Sequence, residues 1–530
     1  MIRNSIKLAG LALAATMVFS ACTKDLDRFP VNDLTPEKVY ANADGYTKAA
    51  AKMYGAFALT GNSGPAGAGD IAGIDEGTSD FLRLFWKAQE LTTDEAVVAW
   101  NDPGIQDFHN MNWSSSNPML QGLYYRAVYQ ITLANEFIRE STDGKLAERG
   151  ITGAQADNIK KFRAEARFLR AFQYWVMMDL YGNPPMLTEN DPIGVFYPKQ
   201  STRAEVYAFV ESELKAIEAL VNPAKQGDYG RVNQGAVWAL LARLYLNAEV
   251  YTGTAKWTDA LTYAKKVIDA GYTLEGNYRH LMLADNHQNT NEFIFTINFD
   301  GIRTQNYGGT TFLVHAAVGD GMNPSEFGIN GGWFGIRTTK ALPQLFADAS
   351  GNTDRRAQFF QNNLEINDIS KFADGWAVTK YRNVTRTGVQ GSDAQGNFAD
   401  TDFPLFRLAE MYLIYAEATL RGATGGNTTT ALGYINALRQ RAYNGATTGN
   451  IIPADLTLNF VLDERGRELY WEGFRRTDLI RYNRFTEATY LWPWKGGVKD
   501  GRGVDAHRKI FPIPLTDIIS NPNLKQNPNY

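Results

Sequence analysis

Two pairs of adjacent acids, a lone cysteine and one oxygen-rich run are the residues whose types and spacing could do chemistry. The acid pairs are Asp75-Glu76 and Asp94-Glu95. Carboxylates suggest glycoside hydrolysis, which needs two of them facing each other across the scissile bond, roughly 5–9.5 Å apart. Adjacent acids project in divergent directions, and the sequence sets no distance between the loops that hold them. No His-Glu-x-x-His, Gly-x-Ser-x-Gly or phosphate-loop motif is present, and the five histidines are scattered. The run holding Asp285, Asn286, Asn289, Asn291 and Glu292 offers oxygens that could hold Ca²⁺. Its plainer alternative is a solvated, Asn-rich loop. Cys22 is the only cysteine, which excludes an intrachain disulfide and any cysteine-based metal site.

Cys22 has a particular setting. Residues 1–21 have a positive start (Arg3, Lys7) and an apolar stretch, Leu8 to Phe19, too short to span a bilayer. Ser20-Ala21 then places small residues before the cysteine. This resembles a bacterial lipoprotein signal, with Phe19 where leucine is usual, and it predicts cleavage and lipidation at Cys22. The alternative is an ordinary signal with an incidental cysteine. Several acyl chains on one residue anchor stably, because each buried methylene adds about 0.8 kcal/mol. Residues 22–34 form the expected tether, and the acids Asp25 and Asp27 just after the cysteine resemble a surface-export signal of Bacteroidetes lipoproteins.

Composition sets the class. In 530 residues, 44% are hydrophobic and 21% charged, a globular balance. The net charge is −4, and losing residues 1–21 removes Arg3 and Lys7 to leave −6, so there is no electrostatic footprint for nucleic acid. Aromatics reach 12%, with 11 Trp and 26 Tyr, enough to predict that some serve on the surface.

The elements that must position these residues are mainly helices. Thr35-Pro36 is a helix start, and the spacing predicts a helix to about Leu59. Further helices are predicted over 120–139, 159–181, 202–221 (opened by the capping box Thr202-x-x-Glu205), 233–251, 257–270, 404–421, 431–441 and 456–473. They come in pairs with short links, and Ala239-Leu240-Leu241-Ala242-Arg243-Leu244-Tyr245 carries the small-residue pattern of tetratricopeptide-like hairpins. The fold class expected is therefore mostly α, a stacked helix-hairpin scaffold. Long Gly-, Asn- and aromatic-rich stretches at 61–113, 298–333 and 362–402 interrupt it, with short β-like runs such as Phe293 to Asn298. Such loops usually carry function.

Several motifs resemble the SusD/RagB-like lipoproteins. One is Ala164-Glu165-Ala166-Arg167-Phe168-Leu169-Arg170-Ala171, leading to Tyr181-Gly182-Asn183-Pro184-Pro185. Another runs from Asp402-Phe403-Pro404-Leu405-Phe406-Arg407 through Glu410 to Ala416-Glu417-Ala418. Arg465-x-x-Glu468-Leu469, Glu472-Gly473-x-Arg475-Arg476-x-Asp478-Leu479 and the tail from Phe511-Pro512-Ile513-Pro514 to Tyr530 complete the likeness, which covers nearly the whole chain. The resemblance implies one domain over 35–530, no catalysis, an outer-membrane location and a SusC-type TonB-dependent transporter as partner, over which such a protein sits as a substrate-capturing lid. Arg170, Arg407, Glu410 and Glu417 are expected to form buried ion pairs between helices.

Within that family, the loops are most similar to the starch-binding prototype. Asp75-Glu76-Gly77 with Arg83 matches its first binding loop. Trp100, Tyr307 (in Asp300-Gly301-x-x-Thr304-x-Asn306-Tyr307-Gly308-Gly309) and Trp333 (after Asn330-Gly331-Gly332) fall at the three positions of an aromatic arc. Where the prototype has a sugar-binding asparagine, this chain has Pro103, and Asn101 and Asp102 are its substitutes. Leu491-Trp492-x-Trp494 is shared too and is expected to pack. The resemblance thus implies a starch or maltooligosaccharide binder with Trp100, Tyr307 and Trp333 stacking on sugar rings and Asp75, Arg83 and Asn101 bonding to hydroxyls. Core packing is the alternative for the tryptophans, and an Asp75–Arg83 ion pair the alternative for those two. Stacking by area burial plus a few hydrogen bonds implies roughly micromolar to millimolar affinity. Two rival readings stay open: a glycosidase, and a binder on the same scaffold for another glycan or for peptides.

Overall fold

The computed structural model describes residues 35–530 apart from Ala68 and Val195. The signal, Cys22 and the tether lie outside the described residues. The scaffold and its loops are organised by the helices α1 (Ala43–Gly55), α2 (Phe81–Glu90), α3 (Pro118–Glu140), α4 (Gly153–Tyr181), α5 (Arg203–Ile217), α6 (Gln234–Leu246), α7 (Trp257–Asp269), α8 (Gly309–Ala317), α9 (Leu408–Leu420), α10 (Thr428–Ala442), α11 (Leu458–Leu469) and α12 (Arg475–Arg481). Short strands link distant segments: β1 (Val97–Val98) pairs with β3 (Ile336–Arg337), and β2 (Phe293–Ile297) with β4 (Phe403–Arg407), both antiparallel. Helices adjacent in sequence pack side by side, α3 on α4, α4 on α5, α6 on α7 and α9 on α10, and α7 also packs on α9. Most of these starts are written in side chains. Asn117 accepts from the Met119 and Leu120 amides, Asn233 from Ala236, Asn427 from Thr430 and Thr457 from Phe460. Thr202 and Glu205 form the expected capping box. No described helix is long and apolar enough to cross a membrane.

Several predicted elements need correction, among them the helix over 233–251, which breaks at Asn247 into Gln234–Leu246 and Ala248–Thr252. The first helix breaks: Pro36–Val39 is a single turn, and α1 starts afresh after Asn42, whose side chain accepts from the Gly45 amide. A Cβ on Gly45 would stand 1.8 Å from the Val39 carbonyl oxygen, so the tight corner requires glycine. The helix predicted from Pro404 begins instead at Leu408, because residues 403–407 are the strand β4, laid against β2. Pro404 reads as a helix-start signal, but cross-strand aromatic packing decides the conformation; Phe295 and Phe406 lie 6.4 Å apart. Finally, α2 and α8 are helices inside stretches read as loops. All residues of both are buried; α8 shows only weak polar-to-apolar alternation, whereas α2 carries it, with Arg83, Lys87 and Glu90 on one face.

The family-like motifs form a mesh of buried ion pairs, as expected. Arg170 meets Glu189 and Glu213 at 2.5 and 2.7 Å. Arg243 meets Glu410, and Arg481 meets Glu417. At its centre Arg407 bonds Glu292, Glu468 and Glu472, all fully buried. Arg441 shares Glu292 and Glu468, Arg356 joins Glu464 and Glu468, and Lys380 joins Glu472. The tail closes the fold: Asn527 donates to the Tyr181 and Phe511 carbonyls, tying the chain end to the end of α4.

Candidate functional site

The three arc residues come from three loops that the fold draws together. The β1–β3 pair ties the Trp100 loop to the Trp333 loop. It continues through the Ala99 amide on the Gly335 carbonyl and the Trp100 indole N–H on the Phe334 carbonyl at 2.5 Å. Gly335 has φ +120°, and a Cβ there would lie 2.2 Å from the Trp100 Nε1, so glycine alone lets the two loops touch. Trp333 stands on α8: its amide donates to the His315 carbonyl, and its ring stacks on the His315 imidazole at 4.8 Å and 23°. The Trp333 and Tyr307 ring centres are 6.4 Å apart, inclined at 60°. Phe398 backs Tyr307 at 5.5 Å. Tyr307 is 39% exposed, and both tryptophans are half-buried, so each ring is held from behind and open in front.

Arg83 sits behind the arc rather than on it. It is 6% exposed, its guanidinium lies 5.9 Å from the Trp100 ring centre and 5.7 Å from that of Trp333, and it rests 4.6 Å over Phe312. Its Nη1 donates to the Tyr307 carbonyl at 2.9 Å. One cation thus fixes all three arc positions. Burial lowers its pKa to about 10, against the pull of Asp80, Asp102 and Asp75. The expected alternative of an Asp75–Arg83 ion pair is not formed: exposed Asp75 accepts instead from the Thr78 hydroxyl at 2.8 Å. Asn101 is exposed beside Trp100. Asp80 secures the base of the site, accepting from the Arg83 amide to cap α2 and from the Gly309 amide at the start of α8. A Cβ on Gly308 would fall 1.4 Å from the Asp80 carboxylate, which explains the Gly308-Gly309 pair.

The supporting residues Phe312, His315 and Phe398 were not anticipated from sequence. Phe312 and His315 are three apart on α8, a spacing that signals a shared face once that run is taken as a helix. Asp80, three residues before Arg83, was the legible cue for α2.

The other sequence candidates lie elsewhere. Asp94 is 3% exposed and pairs with Arg475 at 2.7 Å; burial alone would raise its carboxyl, but Arg475 holds it below the usual range. Glu95, 2% exposed, accepts from the Trp471 amide, and burial beside Glu90 pushes its carboxyl well up. This acid pair is sealed from any substrate. The run at 285–292 is solvated only in part: Asn291 is exposed and Asp285 half-buried, but Asn286, Asn289 and Glu292 are buried. Glu292 is taken by Arg407 and Arg441, the Asn286 oxygen by the Asp402 amide and the Asn289 oxygen by Arg386. Among the described residues no group of three or more His, Cys, Asp and Glu could hold a metal ion. Of the Leu491-Trp492-x-Trp494 run expected to pack, Trp492 is buried with the Lys495 ammonium 4.2 Å over its ring and Trp494 is half-buried, but Leu491 is exposed.

Comparison with known proteins fits this architecture. The family model described as "SusD family" matches residues 361–530, and one described as "Starch-binding associating with outer membrane" matches 78–246. The chain is 35% identical to the starch-binding protein SusD of Bacteroides thetaiotaomicron over 98% of both chains. It is 24% identical to a SusD-like protein of Bacteroides ovatus, over 98% of this chain and 97% of that one. Among solved structures, surface glycan-binding protein A of Bacteroides thetaiotaomicron, in complex with laminarihexaose, superposes with a TM-score of 0.69 at 22% identity, covering 92% of this chain and 99% of that one. The protein of the same name from Bacteroides fluxus gives 0.70 at 20% identity, covering 92% and 100%. On the strength of the near full-length match, the chain belongs to the SusD family.

Proposed function

We propose that the protein is a cell-surface lipoprotein that captures an α-1,4-glucan, starch or maltooligosaccharide, and passes it to a SusC-type TonB-dependent transporter. The observation that carries this reading is the arc of Trp100, Tyr307 and Trp333, three rings from separate loops, backed by Arg83, Phe312, His315 and Phe398. Rings inclined to one another suit a curved ligand, because successive sugars of a helical glucan present apolar faces that turn along the chain. Burying those faces gains about 25 cal/mol per Å². Asp75 and Asn101 stand exposed at the rim, where they can bond ring hydroxyls for about 1 kcal/mol each. Arg83 acts from behind by fixing the rings. Cys22 is the lipid attachment point and residues 22–34 the tether. The family is one of binding proteins, not enzymes, and the sealed Asp94-Glu95 pair agrees with that.

Native electrophoresis in gels containing amylopectin, laminarin or no glycan tests the reading. Retardation by amylopectin alone, lost in Trp333→Ala, is expected. Retardation by laminarin instead would replace starch with a β-linked glucan, the class seen with the glycan-binding neighbour. No retardation by either would move the cargo to another nutrient.

A further inference from the structure

A second site stands out by its charge. Arg279, Arg382 and Arg386, with His280, line a cavity of about 410 Å³ whose wall contains no Asp or Glu. Two of these side chains are already served: Arg386 approaches Asp285 at 3.7 Å, and His280 bonds Glu275 at 3.1 Å. Arg279 and Arg382 are not. The Arg279 guanidinium donates only to the Gly351 carbonyl, at 3.1 Å. That of Arg382 rests 4.7 Å over Phe327 and makes one long bond, 3.4 Å, to the Thr379 carbonyl. Among the described residues neither has a carboxylate in ion-pair range. Burial lowers the Arg382 pKa, and the nearby Arg279 lowers it further, against a weaker pull from Glu326.

This is the reverse of the mesh, where each of Arg356, Arg407, Arg441 and Arg481 meets one or more carboxylates. Arg279 is exposed and Arg382 half-buried on the wall of an open cavity, so both guanidiniums can be reached from solvent. They are a good receptor, because guanidinium forks match the oxygens of a carboxylate, sulfate or phosphate. The cavity is also larger than a bare ion requires. Ser350, Gln358 and Thr379 supply polar groups on its wall and Phe359 an aromatic one, a set that suits a sugar ring behind the anionic group.

We propose that this cavity is a second ligand site that binds an oxyanion, carried on an acidic sugar, between Arg279 and Arg382. It is separate from the aromatic arc and does not depend on the arc's cargo.

Isothermal titration of the full chain in detergent, at constant ionic strength, tests it with two probes, a glucuronate-containing disaccharide and inorganic phosphate. Saturable one-to-one binding of either supports the site, and the tighter probe tells a sugar-borne from a free oxyanion. Affinity should fall at least about tenfold in Arg279→Gln and in Arg382→Gln, as a charge-assisted bond is lost, while amylopectin retention stays unchanged. Thermal melting in anion-free buffer separates this from a structural role: with repulsion relieved, both variants should melt no lower than the parent. No saturable heat with either probe, binding unaltered in both variants, or variants melting well below the parent would overturn the proposal.

Discussion

The mesh around Arg407 and the arc around Arg83 each centre on a buried arginine, and they differ in what that arginine touches. Arg407 spends its donors on three carboxylates, and those carboxylates on Arg441, Arg356 and Lys380. Every charge there is answered within the protein, so the region is closed to ligands and helps fix how α9, α10 and α11 meet. Arg83 touches two carbonyls and three aromatic rings, and no carboxylate. It orients groups whose outer faces remain unsatisfied. Burial of charge therefore does not separate the two regions; what sets the arc, proposed to bind glucan, apart is a set of supported rings with one face left over.

Acid should produce the largest contrast. Burial alone would raise the Glu417 and Glu468 carboxyls, but Arg481, and Arg441 with Arg407, hold both at about 2. Their folded pKa lies below the unfolded value near 4.5, so their contribution is complete above that pH and is lost as pH falls toward 2. Chemical denaturation across this range should show stability collapsing below about pH 4.5; a flat profile would mean the mesh is not held by ionised pairs. Next, Glu468→Ala takes one carboxylate from each of Arg407, Arg441 and Arg356, which keep others, and should cost about 3 kcal/mol of folding stability, while the molecules still folded retain glucan. Loss of binding in that folded fraction would erase the distinction between the regions.

Effects on the arc should be smaller in stability and visible in binding. Trp333→Ala removes one stacking face and should weaken glucan binding by about 2 kcal/mol, roughly 30-fold, measured by titration with maltoheptaose. Arg83→Met keeps the packing stem but frees the Tyr307 carbonyl, with an expected loss of about 1–2 kcal/mol in binding; an unchanged affinity would remove Arg83 from the site altogether. Asp75→Ala and Asn101→Ala should each cost about 1 kcal/mol or less, since a neutral rim bond contributes little net.

Much of the scaffold was legible because its signals are local. Asn117, Thr202 and Asn233 announce helix starts within a few residues of chain, and α3, α5 and α7 follow closely where periodicity places them, while α4 starts earlier and α6 ends earlier than predicted. The ion-pair role of Arg170, Glu410 and Glu417 was also readable, as charges on otherwise apolar helix faces; Arg407 takes the same role from the end of β4 instead of a helix. The errors have two causes. β4 is a strand because β2 lies beside it, and α8 alternates only weakly, so there the deciding contact is remote in sequence; α2 carried local signals, its Asp80 cap and its amphipathic spacing.

The same division holds at the site. The sequence by itself determined the family, the helical scaffold and which aromatic residues stand in Gly-rich loops. Only the tertiary structure decided that Trp100 and Trp333 meet through β1 and β3, that Arg83 lies behind them instead of pairing with Asp75, and that Asp94 and Glu95 are sealed inside. Caps and periodicity act over one or two helical turns and are written in neighbouring residues. Which face of a ring stays open, and which carboxylate an arginine finds, depends on segments more than two hundred residues apart closing on each other.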